Sequence, residues 1–189
     1  VKIAVDTIIS NGIEAPTQFE ILTAAAFLFF KEQGVDYAVV EVGLGGLLDS
    51  TNIVTPKVSV ITNVTIDHQA YCGDTVEEIA RHKAGIIKPN VPVVTAAQDT
   101  PLNIIEDVAK KRHAKLYVFN KDFGIDSRSA VMGGQMITVS SNNAAPAMLF
   151  TTMAGIHQSV NLACALMAVR LLMKEDTNIS EETMREGFA

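Results

Sequence analysis

The sequence predicts an α/β domain with a mostly parallel sheet, flanking helices on both faces and a small antiparallel β appendage. Short β-branched runs alternate with helical patterns up to about residue 120, which is typical of parallel strands joined by crossover helices. Beyond that point, short strands separated by turn residues predict antiparallel hairpins. The 189 residues are enough for one compact domain with its own hydrophobic core.

Composition argues against several classes of protein. Hydrophobic residues make up 48% of the chain and charged residues 19%, which is typical of a globular protein and not of a disordered one. The formal net charge of −6 disfavours electrostatic binding of nucleic acid. The apolar run 21–30 is too short to span a membrane. Cys72 and Cys164 lie far apart without metal-site spacing, so we expect two free thiols and a cytoplasmic protein.

The most informative stretch runs from residue 37 to residue 52, YAVVEVGLGGLLDSTN. Its first part, 37–42, is apolar and β-branched and predicts a buried strand with Glu41 near the carboxyl end. Ligands of open α/β sheets lie beyond the carboxyl ends of the strands, so this carboxylate is well placed to hold a metal near phosphates. Gly43, Gly45 and Gly46 allow a close backbone approach or a positive φ.

Two common nucleotide-binding motifs do not fit the chain. A dinucleotide fingerprint needs a third glycine where Leu48 stands and a helix directly after the loop, but residues 49–56 have loop chemistry. A P-loop needs Gly-Lys-Ser or Gly-Lys-Thr, and neither tripeptide occurs in the sequence. If the protein uses ATP, we therefore expect its main phosphate-binding loop to lie outside this chain.

The other elements are predicted from local signals. Residues 1–9 are an apolar lead-in to a turn. Thr17 and Glu20 form a capping box for a helix that ends at Gly34, and the apolar interior of that helix favours packing between the sheet and its neighbours. Further helices are predicted at 74–88, 101–113, 155–173 and after Ser180. Strands are predicted at 58–63, 92–95, 116–119, 135–140 and 147–152, with turns at 133–134 and 142–146.

Glu41, His68 and Lys83 follow successive predicted strands and are candidates for chemistry. Glu41 offers an oxygen ligand to a hard cation such as magnesium, and His68 an imidazole or a supporting contact. Lys83 shares an apolar helix face, where partial desolvation favours the neutral, nucleophilic amine. Each residue also has a structural alternative. Glu41 would be a surface acid, His68 would cap a strand end, and the stem of Lys83 would cover apolar surface.

His157 and Asn161 lie one turn apart on the predicted helix 155–173. From this position Asn161 can read the edge of an adenine, although such a pair is also typical of a helix start with a polar face.

Four motifs give the chain a resemblance to a known family. The pattern Glu-Val-Gly-Leu-Gly-Gly-Arg-Leu-Asp-Ala-Thr-Asn is met by residues 41–52, with Leu47 replacing the arginine and Ser50 the alanine. Asp-His with a following Leu-Gly-Asp-Thr is met by 67–68 and 72–75, and Glu-Lys-Ala-Gly-Ile by 82–86, with His82 replacing the acid. Gly-x-His-Gln-x-x-Asn is met by 155–161. In this order they resemble the central domain of the folylpolyglutamate synthase family, which includes bifunctional dihydrofolate synthases, among the Mur ligases.

The resemblance implies the P-loop NTPase-like central domain of an ATP-dependent amide ligase that uses ATP and Mg²⁺. In that family ATP phosphorylates a carboxylate of a folate or dihydropteroate, and the amino group of L-glutamate then displaces phosphate. The family also implies a monomer. The whole range 1–189 corresponds to this central domain, without the P-loop segment and the C-terminal domain. We therefore expect a fragment that does not catalyse ligation alone.

The same resemblance assigns roles to individual residues. Glu41, His68 and Lys83 would bind magnesium and act in catalysis, Lys83 as a carbamate formed with carbon dioxide. Asn161, with His157, would face the adenine. The pterin or pteroate would be held by Thr17, Phe19, Leu48, Asp49 and Ser50.

Three alternatives remain at this point. The first is a cell-wall Mur ligase acting on a UDP-muramoyl peptide. The GLGG-x-x-D-x-T-N stretch argues against it, because this stretch resembles the folate branch of the family. The second is a non-catalytic nucleotide- or folate-binding module. The third, a dinucleotide oxidoreductase, has little support from the glycine pattern.

Overall fold

The computed structural model describes residues 1–66, 69–142, 144–174 and 178–188, without the side chains of residues 69 and 70. The helices are α1 (Lys2–Ser10), α2 (Gln18–Gln33), α3 (Gln69–Cys72), α4 (Val76–Ala84), α5 (Asp99–Lys111), α6 (Ile156–Leu172) and α7 (Glu181–Phe188). The strands are β1 (Ser59–Ile61), β2 (Val93–Thr95), β3 (Leu116–Val118), β4 (Phe123–Val131), β5 (Gly134–Ser141) and β6 (Ala144–Thr151). A short 3-10 helix spans Ser50–Ile53.

The first three strands form a parallel sheet in the order β1-β2-β3, with Val93 paired to Ser59 on one side and to Leu116 on the other. Alternate residues of a strand face opposite sides. Val93 accordingly packs into a core with α4 and α5, while Val94 packs into a second core with α6. The predicted parallel sheet with helices on both faces is confirmed.

The last three strands form a separate antiparallel sheet in the order β4-β5-β6. Ile137 and Leu149 are fully buried on its inner face and share a core with Leu162 and Leu166 of α6. The predicted appendage is therefore confirmed. The expected turn at 142–146 is shorter than predicted, because Pro146 lies inside β6.

The predicted strand at 37–42 is wrong. No strand is assigned there, and Val39 is 99% exposed. A β-branched run becomes a buried strand only when a neighbouring strand pairs with its backbone and another layer covers its side chains. Among the described residues no strand pairs with this segment. Glu41 therefore lies on an exposed, extended segment and not at a strand end.

Helix α2 has the predicted ends but not the predicted packing. The Thr17 hydroxyl accepts a hydrogen bond from Glu20 N, Glu20 Oε2 accepts one from Thr17 N at 2.7 Å, and Gly34 ends the helix with φ 63°. Thr23 is nevertheless its only buried residue, and Phe29 is 56% exposed. The helix is apolar nearly all round, and the elements packed on it among the described residues cover only part of that surface.

Two other local predictions need correction. The lead-in predicted at 1–9 is mostly helical, because Lys2–Ser10 form helix α1, which buries none of its side chains. Helix α4 ends at Ala84 and does not continue to residue 88, since Gly85 follows as its C-cap. Across the described ranges, none of the helices combines the length and the apolar character that crossing a membrane requires.

Candidate functional site

The segment 43–52, called the glycine loop below, is bonded to the carboxyl end of α4. Leu47 N donates a hydrogen bond to His82 O at 2.9 Å. The Asn52 amide donates to Leu47 O at 3.0 Å and to Gly85 O at 3.2 Å. From beyond the helix, Lys88 Nζ donates to Asn52 O at 2.6 Å. These contacts hold the loop against the turn of α4 that carries Lys83.

Glycine is required where the loop approaches α4 most closely. Gly46 has φ 147°, and a Cβ placed on it would lie 2.9 Å from His82 O and 3.3 Å from Lys83 Cα. At Gly45, with φ 70°, a Cβ would lie 2.5 Å from His82 Nδ1. Side chains at these positions would both strain the backbone and push the loop away from the helix. The half-buried Lys83 therefore lies beside loop backbone.

Asp49 organises the interior of the glycine loop. Its carboxylate accepts hydrogen bonds from Leu44 N at 2.8 Å and Thr51 N at 2.9 Å, and another from the Thr51 hydroxyl. Partial burial raises the pKa of the Asp49 carboxyl, but hydrogen bonds from Thr51, Leu44 and Gly43 outweigh it and hold that pKa below its ordinary value of 3.8. The ionised side chain thus acts as an internal brace of the loop.

The residues assigned to the pterin or pteroate site do not all come together. Phe19 and Glu41 line a small, mainly apolar cavity of about 270 Å³ between α2 and segment 39–51. Ser50 Oγ lies 3.5 Å from Thr23 Oγ1 on the same side of α2. Thr17 is engaged in the helix cap, and Leu48 is 82% exposed. His68 lies outside the described residues.

A larger cavity of about 660 Å³ lies beyond the carboxyl ends of β1 and β2, facing the amino ends of α5 and α6. His157 and Asn161 both line it, so the structure brings together the two residues assigned to adenine. The Asn161 amide donates to Gln158 Oε1 at 3.1 Å. The size lies within the range of small-molecule sites, and its place at the strand ends is where α/β sheets bind ligands.

Several residues of this larger cavity were missed by the sequence reasoning. Thr62 and Asn63 follow β1, and Gln98 follows β2, and all three line the cavity. Polar residues at the carboxyl end of a predicted strand, or within a few residues after it, were the signal that could have found them. Lys83 lines neither cavity, so the described residues do not place it with His157 and Asn161.

The described residues do not by themselves form a metal site. Among them, no group of three or more His, Cys, Asp and Glu residues could hold a metal ion. His82 Nδ1 is buried next to Gly45 and has no hydrogen-bond partner in the part of the chain that the structure describes. Cys72 and Cys164 are free and buried, and burial raises the pKa of the Cys164 thiol to about 12.

Comparison with protein families gives one match over most of the chain. The model of the Mur ligase middle domain matches residues 3–169. The dihydrofolate synthase/folylpolyglutamate synthase of Bacillus subtilis is 39% identical over 176 residues, covering 92% of this chain and 41% of that protein. The folylpolyglutamate synthase of Lacticaseibacillus casei is 36% identical over 181 residues, again covering 92% of this chain and 41% of that protein.

Comparison with solved structures agrees. An FPGS in complex with AMPPCP and folate superimposes with a TM-score of 0.93 at 33% identity, covering 100% of this chain and 47% of that one. The chain thus spans about two fifths of the length of the curated relatives described above.

Proposed function

The chain belongs to the Mur ligase middle-domain family, as its motifs predicted, and from this premise we propose that it is the central ATP-binding part of a ligase that adds L-glutamate to a folate or dihydropteroate. The activity is proposed for the whole protein, because the chain spans 41% of its curated relatives. ATP and the two substrates are its proposed partners. Its cytoplasmic location and its monomeric state stay predictions from the sequence.

The observation that carries the proposal is the cavity at the carboxyl ends of β1 and β2, lined by His157 and Asn161. The same fold has been solved with the ATP analogue AMPPCP and folate in another protein, and the match covers 100% of this chain and 47% of that one. The Asn161 amide carries both a donor and an acceptor, which suits the paired donor and acceptor of an adenine edge. We assign the adenine to this cavity.

The proposed reaction proceeds through an acyl phosphate. A carboxylate oxygen of the pteroyl substrate attacks the γ-phosphorus of ATP, and the bond to the β,γ-bridging oxygen breaks to release ADP. The amino group of glutamate then attacks the acyl carbon and loses a proton. The carbon–oxygen bond breaks, and inorganic phosphate leaves with the oxygen that came from the carboxylate. Amide formation is thereby coupled to the cleavage of ATP.

Lys83 is proposed to act as a carbamate. Its amine, in the neutral form, adds to the carbon of carbon dioxide, a nitrogen–carbon bond forms, and a proton is released to solvent. The product replaces a cationic side chain with an anionic one beside the backbone of the glycine loop. The close approach of Gly46 to the half-buried Lys83 supports this proposal, because the loop held against Lys83 begins just after Glu41, the other carboxylate of the proposed magnesium site.

Magnesium enters the proposal only as a cofactor to be held by Glu41, His68 and carbamylated Lys83. When bound, it would neutralise charge on the phosphates of ATP. Glu41 offers an exposed carboxylate, but the described residues alone do not complete an ion site. No step of the reaction is therefore assigned to the metal.

The pteroyl group is proposed to bind near the small cavity between α2 and the glycine loop. Phe19 supplies an aromatic face there and Thr23 a hydroxyl group, which lies 3.5 Å from Ser50 Oγ. The ring of Phe19 lies close enough to Gly43 that a Cβ at that position would come within 2.3 Å of it. The Phe19 ring therefore offers a flat apolar surface against which an aromatic ligand can pack.

The proposal is tested by ADP release from the whole protein in the presence of glutamate. Dihydropteroate, tetrahydrofolate and a UDP-muramoyl peptide are compared as carboxylate donors. Turnover with a pteroyl donor supports the proposal and identifies which folate step is catalysed. Turnover with the muramoyl peptide alone would assign the protein to cell-wall synthesis, and no turnover with any donor would favour a non-catalytic binding module.

A further inference from the structure

A buried glutamine connects the antiparallel sheet to the start of α6. Gln135 lies on β5 and is only 3% exposed. Its amide nitrogen donates to Met153 O at 2.6 Å and to Gly155 O at 3.3 Å. Its amide oxygen accepts from Ser159 Oγ at 3.1 Å and from Arg128 Nη1 at 3.4 Å. One side chain thus bonds to both carbonyls that lead into the helix and to the second turn of the helix itself.

These bonds converge on the first peptide groups of α6. Gly155 O accepts from Gln135 Nε2, from Ser159 N and from Ser159 Oγ, each at 3.3 Å. Gly155 has φ 103°, and a Cβ placed there would lie 2.9 Å from His157 Cε1. The direction in which α6 leaves the sheet is therefore fixed at Gly155. His157 and Asn161 project into the larger cavity from the two turns that follow.

Burial raises the free-energy cost of breaking these hydrogen bonds. Ser159 is fully buried, so removing the glutamine amide leaves the Ser159 hydroxyl with one hydrogen-bond partner fewer at a site shielded from water. The other inward-facing residues of β5, Ile137 and Val139, are apolar and fully buried. A buried amide on such a face is costly unless all of its hydrogen-bonding capacity is used. Here its donor and its acceptor are both used at the entrance of α6.

We propose that Gln135 is a positioning residue for the nucleotide site, because it sets the orientation of the α6 amino end and hence of His157 and Asn161. It does not touch the nucleotide. This inference rests on the proposed function for the assignment of adenine to the larger cavity. The antiparallel appendage consequently has a role in nucleotide affinity, although none of its described residues lines that cavity.

The test is Gln135→Met in the whole protein, which keeps most of the side-chain volume and removes the hydrogen bonds. We expect the Kd of AMPPCP, measured by calorimetry, and the KM of ATP to rise about tenfold, since small displacements of binding groups carry costs of that order. The KM of glutamate is expected to stay within about twofold of its value in the protein without substitutions. Ser159→Ala, which removes the hydroxyl contacts to Gln135 Oε1 and Gly155 O but keeps the bonds from the Gln135 amide nitrogen, is expected to raise the Kd about threefold.

The matched control is Ser140→Ala on the outer face of β5. It removes a hydrogen bond of 2.7 Å to Asp126, which joins β5 to β4, and the Kd of AMPPCP is expected to stay unchanged. If Gln135→Met does not fold, the inference is decided by Ser159→Ala.

Four results separate the inference from the proposed function. An unchanged Kd in a folded Gln135→Met protein overturns the inference alone. Equal rises in the KM of ATP and of glutamate also overturn it, because they indicate a general structural role. Failure of the unchanged protein to bind AMPPCP overturns both the inference and the nucleotide assignment. Binding without ligation overturns the proposed function, while the Kd values still decide the inference.

Discussion

The side-chain amide of Asn52 donates a hydrogen bond to the carbonyl oxygen of Gly85 at 3.2 Å. Along the chain β1, α3 and α4 lie between the two residues, yet this bond joins the end of the glycine loop to the end of α4. The carbonyl of Asn52 also accepts from Lys88 at 2.6 Å. Because Lys83 lies only two residues before Gly85, the position of Lys83 relative to the loop depends on this junction.

Removing the Asn52 amide is expected to loosen the junction. Asn52→Ala loses two hydrogen bonds to backbone carbonyls and should lower the free energy of unfolding by about 1–2 kcal/mol. The measurement is the midpoint of denaturant unfolding. Asn142→Ala is the matched control, because its exposed amide makes a single bond of 3.3 Å to Lys121 O; it should cost less than about 0.5 kcal/mol. Equal effects of the two variants would contradict the role given to Asn52.

Gly46→Ala is expected to lower the free energy of unfolding by about 2–4 kcal/mol, from backbone strain and a clash with a backbone oxygen. The added Cβ would lie 2.9 Å from His82 O at φ 147°. Gly12→Ala isolates the strain, because Gly12 has φ 75° and a Cβ added there would meet no atom of the other described residues within 4 Å; it should cost about 1–2 kcal/mol. Thermal unfolding measures how much more stability Gly46→Ala loses than Gly12→Ala. This difference in unfolding free energy reports how tightly the loop packs on α4. No excess would mean that the loop can move away freely.

The Asp49 brace predicts a dependence of stability on pH. Its pKa in the folded protein is held below the ordinary value of 3.8, so the stabilisation is fully present above that value and is lost as the pH falls below it. The difference in unfolding free energy between the unchanged protein and Asp49→Asn should therefore be constant at neutral and mildly acidic pH and shrink below pH 3.8. Denaturant titrations from about pH 6 to about pH 2.5 measure it. A difference that stays constant over the whole range would contradict the account.

Lys83→Arg is expected to abolish ligation while leaving the fold intact. Arginine keeps the positive charge but does not add carbon dioxide, so the kcat for ADP release with a pteroyl donor should fall at least about 100-fold. Lys111→Arg, an exposed lysine in the last turn of α5, serves as the control and should leave kcat unchanged. Full activity of the Lys83 variant would exclude the carbamate.

Local chemistry made much of the fold predictable. The capping box of Thr17 with Glu20 and the glycine end of α2 depend on neighbouring residues alone, and strands β1, β2 and β3 follow from short β-branched runs. The segment 37–42 shows the limit, because its pattern indicates a strand but does not reveal whether another strand pairs with it. For α2, the apolar surface predicted a buried helix, but the described residues cover only part of that surface.

The candidate site was predictable only where spacing along one element decides the geometry. His157 and Asn161 lie one turn apart on one helix and do line a common cavity. The junction of Asn52 with Gly85 joins distant parts of the chain, and Gln135 lies on a strand with no local sign of its contacts to Gly155. Such relationships depend on tertiary packing, which no pattern along the sequence reports.

The acyl phosphate is the central claim, and transfer of an oxygen atom tests it most directly. Dihydropteroate or a folate labelled with oxygen-18 in its reacting carboxylate is incubated with the whole protein, ATP and glutamate, and the released phosphate is analysed by mass spectrometry. The account predicts that each phosphate formed carries one oxygen from the carboxylate, in step with amide formation. Phosphate without the label would mean that ATP is hydrolysed by water, and would contradict ligation through an acyl phosphate.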